Sequence, residues 1–396
     1  MKRNFESSHP WISFQIDLTA RTQRLWLLLG EAKSKCEHIA NVILEPEMSR
    51  RLHQVFLAKG VMATTAIEGN TLSEEEILKQ LEGKLELPPS KQYLAQETQN
   101  IIDACNAILR DIREGSSPEL NVATMKEFNR QVLDKLQLDE DVVPGEIRKH
   151  SVTVGRYRAA PAEDCEYLLE RLCEWLNGAV FHPPEDMPQM SLVYAMIKAV
   201  LAHLYVAWIH PFGDGNGRTA RLIELLILVT SGIPAPAAHL LSNHYNLTRA
   251  EYYRQLDRGS RSGGDVLPFL TYALQGFVDG LVGQIEHIHL QQWKFAWEKY
   301  VLDQVQDDSS AITERRCHLV LALSEQKEPV PLSKLLEMSP RVAAAYGAKT
   351  SKTLMRDLGQ LRKKGLVELT GTGYRAKREA VLAFRPFVVK PKIQSQ

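Results

Sequence analysis

The stretch His210 to Arg221, HPFGDGNGRTAR, constrains this chain more than any other. Before it, Leu192, Val193, Met196, Ile197, Val200, Leu201 and Leu204 recur at helical spacing. After it, Leu222, Leu225, Leu226 and Val229 do the same, with Gly232 and Pro234 as a stop. Two buried helices must therefore meet at a tight turn rich in glycine and charge. Gly213, Gly215 and Gly217 let backbone N–H groups crowd around one point, and Arg218 to Arg221 open a helix whose positive dipole end faces it. Arg218 and Arg221, about one turn apart, add charge-assisted donors suited to phosphate oxygens. Asp214 would be repelled by phosphates unless a hard cation such as Mg²⁺ lay between them. His210 has the pKa suited to taking a proton at neutral pH. These groups suit nucleotidyl or phosphoryl transfer. A lone Gly-Asp-Gly triplet would read as a structural loop around a satisfied histidine; the whole string counts against that. It is neither a Walker A loop, since no Gly-Lys-Ser/Thr follows, nor a Rossmann fingerprint, since no strand precedes it.

The string resembles the signature of the Fic family, HPFxDGNGRxxR, at every fixed position. The resemblance implies a mainly α fold, a helical core with a short β-hairpin flap. It also implies an enzyme that transfers AMP from ATP to Ser, Thr or Tyr hydroxyls of target proteins, or of the chain itself, releasing pyrophosphate. On that reading His210 is the catalytic base, Asp214 holds Mg²⁺, and Gly215, Asn216, Gly217, Arg218, Thr219, Ala220 and Arg221 line the ATP site. The Gly215 to Gly217 amides and Asn216 would stabilise oxyanion charge, with Arg218 and Arg221 on the β and γ groups. Relatives often dimerise, so a homodimer is also expected.

A second motif lies in Thr64 to Glu76, TTAIEGNTLSEEE. Thr71 followed by Glu74 and Glu75 reads as a helix N-terminus, which places Gly69 and Asn70 in the break between two helices. Glu68 then sits near the C-terminal end of the earlier helix, where the dipole disfavours a carboxylate unless a cation answers it. A solvent-facing Glu68 is the plain alternative. Some Fic proteins carry an inhibitory helix with the pattern Ser/Thr-x-x-x-Glu-Gly/Asn, and Thr64, Glu68 and Gly69 match it. The resemblance implies that Glu68 pairs with Arg221 inside the ATP site and inhibits the chain. At ~4 Å and an effective dielectric of about 20 such a pair has at most ~4 kcal/mol of Coulomb energy before desolvation. In some relatives the equivalent glutamate instead positions water to remove AMP, so a deAMPylase is an alternative.

Val142 to Pro161 changes character, and β-branched Val152, Thr153 and Val154 between polar and glycine residues read as a short hairpin. The resemblance makes Val152 to Tyr157 the flap that holds the target segment by strand addition, with Val154, Gly155, Arg156 and Tyr157 near the nucleotide. A purely structural hairpin fits the residues equally. Tyr252 and Tyr253 are candidates for stacking on adenine, as paired aromatics do in relatives, with a core role expected for one of them. The polar residue some relatives place further on would fall near Ser260.

The remaining elements read as helices at Ala20 to Ile43, Glu97 to Ile112, Asn121 to Leu136 and Glu163 to Gly178, with aromatics at helical spacing within Leu241 to Leu256, an extended stretch from Trp11 to Leu18 and a linker from Gly115 to Pro118. Helical segments at Thr313 to Ser324, Leu332 to Glu337 and Ser351 to Lys364 precede a strand, a glycine turn and a second strand. This resembles a winged helix-turn-helix, with Lys352, Arg356, Arg362, Lys363 and Lys364 on or just after its third helix. DNA binding, dimerisation and protein docking all stay open for it, as does a DNA-binding regulator whose Fic-like part senses nucleotide. The expected divisions are 1–112 for the inhibitory region, 113–280 for the catalytic core and 300–380 for the winged domain.

With 396 residues, 24% charged and 44% hydrophobic, the composition is that of an ordinary globular protein. The formal net charge is zero, yet Arg341 to Gln396 holds 13 Lys and Arg against 3 Asp and Glu. Any nucleic-acid contact should therefore be local to that end. Cys36, Cys105, Cys165, Cys173 and Cys317 lack CxxC spacing, so neither zinc nor disulfides are expected. The N-terminus has no apolar signal region and no window is expected to reach the length of a membrane span, which points to the cytoplasm.

Overall fold

The computed structural model describes residues 3–19, 22–116, 118–306 and 310–381. Ala20, Ser117 and the basic residues Arg385, Lys390 and Lys392 lie outside the described residues. The chain divides into two compact units, Met1–Ile285 and Glu286–Gln396.

The first unit is helical: α1 (Asn4–Ser8), α2 (Gln23–Ala40), α3 (Pro46–Ala66), α4 (Glu74–Leu81), α5 (Gln92–Arg113) and α6 (Val122–Val132) precede a two-stranded hairpin. Strands β1 (Thr153–Val154) and β2 (Tyr157–Arg158) pair antiparallel, Thr153 opposite Arg158 and Val154 opposite Tyr157. Then follow α7 (Cys165–Leu176), α8 (Ser191–Ile209), α9 (Asn216–Thr230), α10 (Ala235–Ala238), α11 (Leu240–Leu247) and α12 (Arg249–Arg261). Helix α13 (Leu267–Val305) gives its first part to this unit and its second to the next.

Helices α8 and α9 are the core pair, and α9 also packs on α5, α6 and α3. The sequence reading expects no apolar window long enough to span a membrane, and this is corrected. Pro188–Ile209 is long and apolar enough by length and composition, and 78% of its most apolar window is buried inside the protein. Lys198 and His203, which interrupt the pattern, are accommodated at specific partners. Lys198 donates to Asn177 Oδ1 (3.0 Å), and His203 Nε2 shares a hydrogen bond with the Tyr252 hydroxyl (2.9 Å).

Local capping explains where the segment carrying Glu68 starts and stops. Glu45 accepts from Met48 N at the start of α3, with Pro46 in its first turn. The cap of α4 is Ser73, and Thr71, the expected start, stands before it. Ser73 accepts from Glu76 N while Glu76 Oε2 accepts from Ser73 N, a reciprocal box that fixes where Thr64–Asn70 must turn. Between the two helices Gly69 takes φ +106°, a conformation other residues resist.

Three stretches take a specific form. Trp11 to Leu18, expected to be extended, forms neither helix nor strand. The run Leu241 to Leu256 breaks at Thr248 into α11 and α12, because Thr248 leaves helical geometry (ψ 37°) and turns its hydroxyl back to the His244 carbonyl (2.7 Å). Leu332–Glu337 is a 3₁₀ helix.

The second unit holds α14 (Ser310–Glu325), that 3₁₀ turn, α15 (Pro340–Gly347), α16 (Ser351–Lys363), and the antiparallel strands β3 (Val367–Leu369) and β4 (Tyr374–Ala376). Val330 bridges to Tyr374, adding a third extended segment beside the hairpin. Trp297, Leu319, Val320, Leu323, Leu358 and Leu361 are among the residues that fill its core. Beside that core Asp357, fully buried, is held by Arg315 Nε (2.9 Å), Arg316 Nε (3.0 Å) and the Tyr346 hydroxyl (3.1 Å). The three donors offset the desolvation of the carboxylate and tie α14, α15 and α16 together. All five cysteines are free and buried.

Candidate active site

The turn between α8 and α9 is built around a left-handed residue. His210 caps α8 at φ 50°, ψ 59°, and its amide still closes the helix on Val206 O (2.9 Å). A non-glycine residue holds that conformation only where its surroundings fix it. Arg148 does so here. Its buried guanidinium donates from Nε to the His210 carbonyl (2.7 Å) and from Nη1 to the His150 carbonyl (2.6 Å), while its amide donates to Pro211 O (3.0 Å). The base of the hairpin and the turn at His210 are thus joined by one side chain.

The turn then braces itself. Asn216 accepts from Phe212 N (2.9 Å) and donates to Phe212 O (2.8 Å). Its side chain thus closes the loop on itself with one N–H and the carbonyl oxygen. Asn129 of α6 donates to Asp214 O (2.8 Å) and accepts from Gly145 N (2.9 Å). Gly215 takes φ +75° at the N-cap of α9, where among the described residues no side chain caps the first-turn amides. Thr219 and Ala220, expected in the ATP site, are fully buried in the body of α9.

The Glu68 carboxylate lies over that helix end. A Cβ on Gly217 would meet Glu68 Oε1 at 2.1 Å, so glycine alone leaves room for it. Arg221 Nη2 donates to Glu68 Oε1 (2.5 Å) and to the Thr64 carbonyl (2.9 Å). The segment thus holds Arg221 through the Glu68 side chain and the Thr64 main chain. The Arg221 side chain is 1% exposed and that of Glu68 33%. Burial would raise the Glu68 carboxyl, but Arg221, and behind it Arg218 and His210, more than offset this and hold it below its ordinary value.

Arg218 stands between two carboxylates, with Nη1 at 3.2 Å from Glu97 Oε1 and Nη2 at 3.3 Å from Asp214 Oδ1. Glu97, Asn129, Asn70 and Arg148 carry no local sequence signal for these roles. Arg221 Nε and Nη1 and Arg218 Nε are buried and meet no acceptor among the described residues. An unsatisfied buried donor costs about 1–3 kcal/mol, which a phosphate oxygen would offset. Among the described residues no group of three or more His, Cys, Asp or Glu could hold a metal ion. The Asp214 side chain is half exposed, so one carboxylate stands open beside Arg218.

The flap and aromatic residues divide. Val154 and Arg156 are exposed at the hairpin tip around Gly155, whereas the Tyr157 hydroxyl donates to Trp208 O (2.7 Å) and its ring packs near Trp11. Tyr157 therefore anchors the hairpin. Tyr252 is a core residue, buried against Tyr245 and His203; Tyr253 is 41% exposed. The core role expected for one tyrosine falls to Tyr252. Ser260 is buried, with its hydroxyl on Asp257 O (2.8 Å).

The Fic/DOC family profile matches residues 119–228. The chain is 33% identical over 272 residues to protein adenylyltransferase fic-1 of Caenorhabditis briggsae, covering 66% of this chain and 49% of that protein. It is 32% identical over 213 residues to the Caenorhabditis elegans protein of the same name, 54% of this chain and 38% of that one. The chain thus spans half or less of the length of these curated relatives. A Fic family protein from Desulfovibrio desulfuricans shares the fold at TM-score 0.57 and 20% identity, over 91% of this chain and 98% of that one. A fragment of Fic-1 from C. elegans aligns at TM-score 0.53 and 25% identity, over 69% and 77%.

Burial drives the His210 imidazole down to about 4; the Ala207 carbonyl, Glu68 and Asp214 raise it, Arg148 lowers it, and burial prevails. The ring is neutral at pH 7. Its contribution to stability is present above the unfolded value of about 6.5 and is lost as pH falls through the folded value. The His210 ring resonances, followed by NMR, should titrate near pH 4, and lower still in Glu68→Gly, which removes a group that raises it. A midpoint near 6.5 in wild type would contradict the burial argument.

Proposed function

From the Fic/DOC family domain at residues 119–228, we propose that this chain is a protein adenylyltransferase held in check by its own Glu68. The observation that carries the reading is Arg221. A buried guanidinium near an uncapped helix N-terminus has two nitrogens without acceptors among the described residues and a third held by a carboxylate of the same chain. His210, neutral at pH 7, removes the proton from a Ser, Thr or Tyr hydroxyl. The hydroxyl oxygen bonds to the α-phosphorus of ATP while the bond to the bridging oxygen breaks and pyrophosphate leaves. The α9 amides and Arg218 stabilise the charge that develops, and Arg221 orients the terminal phosphate. Asp214 is the residue that would hold Mg²⁺, which supplies neutralisation of phosphate charge. The hairpin edge at Val154 offers main-chain groups to a target segment.

The Glu68 carboxylate is a second anion where the phosphate belongs, so removing it should favour productive ATP. With α-phosphate-labelled ATP and Mg²⁺, Glu68→Gly should place at least about tenfold more label on protein than wild type. That factor needs only ~1.4 kcal/mol, inside the ~4 kcal/mol Coulomb ceiling. His210→Ala in either background should give none. Equal labelling of wild type and Glu68→Gly would sink the inhibition; release of AMP from labelled protein that needs Glu68 would favour the reverse reaction.

For the second unit we propose a duplex-DNA contact through α16. Three helical segments and a hairpin follow the order of a winged helix, and Lys352, Arg356, Arg362 and Lys363 form one exposed face of α16. None of the four pairs with a carboxylate among the described residues, and the one acidic residue of that helix, Asp357, is turned into the core. A fluorescent random-sequence duplex should bind the full chain at about micromolar strength in low salt, weakening as salt rises. In a Lys352→Ala, Arg356→Ala, Arg362→Ala variant the salt slope should fall by about 3. An unchanged slope in a folded variant would exclude this surface.

A further inference from the structure

We propose that Glu97 is a positioning residue that, through Asn70, holds Arg218 off Asp214 and couples it to the inhibitory segment. This rests on the adenylyl-transfer reading of the same site. The segment that carries Glu68 reaches both arginines of the site, by two routes. Thr64 and Glu68 contact Arg221 directly. Two residues on, Asn70 donates to Glu97 Oε2 (2.8 Å), and the other oxygen of Glu97 faces Arg218 Nη1 (3.2 Å).

Asn70 is a rigid post for this purpose. It is buried, its amide N–H donates to Thr65 O (3.1 Å), its Oδ1 accepts from Leu72 N (3.0 Å), and its Nδ2 donates also to Leu94 O (3.0 Å). Every polar group of its side chain is engaged, so it fixes which way the Glu97 carboxylate points.

Arg218 is the group to be shared. Its Nη2 lies 3.3 and 3.4 Å from the two oxygens of Asp214, longer than the ~2.7–2.9 Å of a closed charge-assisted pair. The buried guanidinium therefore bridges Glu97 and Asp214 without closing on either. Without the Glu97 charge, Asp214 is the carboxylate left to it, and a closed Arg218–Asp214 pair would withdraw the Mg²⁺ ligand and a phosphate donor together. Movement of 68–70 would release Arg221 and loosen the post behind Arg218 in one step.

The test measures Mg²⁺-dependent binding of a fluorescent ATP analogue to Glu68→Gly, and to the same variant carrying Glu97→Gln, Glu97→Asp or Asn70→Ala, with thermal unfolding as the control for folding. Glu97→Gln should raise the Mg²⁺ concentration for half-maximal binding by about tenfold, Asn70→Ala by less, and Glu97→Asp should restore part of the loss. Label transfer at saturating Mg²⁺ should change much less than its Mg²⁺ midpoint. Equal Mg²⁺ midpoints in Glu97→Gln and its parent would overturn the proposal. Absence of AMP transfer by Glu68→Gly would overturn the adenylyltransferase reading alone, since the binding midpoints judge Glu97 separately.

Discussion

Arg221 is the charge on which the rest of the site depends. Its guanidinium is buried on the first turns of α9, where the helix dipole already concentrates positive potential, and such a group is tolerated only beside an anion. In this structure the anion comes from the chain itself, as Glu68 with the Thr64 carbonyl. Burial would lower the Arg221 pKa, and the neighbouring Glu68 carboxylate above all raises it instead. The pairing is incomplete, because among the described residues two of the three guanidinium nitrogens meet no acceptor. A site that leaves donors unsatisfied at rest is suited to exchange one carboxylate for a polyphosphate.

That exchange needs a scaffold that stays put. Arg148 supplies it by joining the hairpin base to the left-handed His210, and Asn216 and Asn129 close the glycine turn from within. The imidazole is thereby held neutral in a half-buried position, with its backbone in a conformation that an isolated histidine rarely takes. On the proposed function, preorganisation of this kind would let the imidazole act as a base without rearranging.

Much of this was legible in the sequence because it is local. A glycine-rich turn between two apolar helical patterns forces the placement of His210, Asp214 and both arginines, and a carboxylate at a helix C-terminus signals that Glu68 needs a cation. The partners that complete the site come from far along the chain. Glu97 is one glutamate among many on a helix, and only the fold brings it to Arg218, 121 residues away. Asn129 and Arg148 escape notice for the same reason. Tyr252 and Tyr253 are adjacent, so composition cannot rank them. The spacing of Tyr245 and Tyr252, seven residues apart, hinted at a shared buried face, but the break at Thr248 obscured it. The single helix Leu267–Val305 was missed because it serves two units and keeps no one apolar face.

The central claim is that Glu68 competes with the terminal phosphate for Arg221, and the most direct measurement compares ATP with AMP. Dissociation constants for both nucleotides, taken by calorimetry with Mg²⁺ for wild type and Glu68→Gly, separate that competition from any general opening of the cleft. The account predicts that the substitution tightens ATP severalfold and leaves AMP, which has no β or γ group to reach Arg221, nearly unchanged. An equal gain for both nucleotides would contradict it.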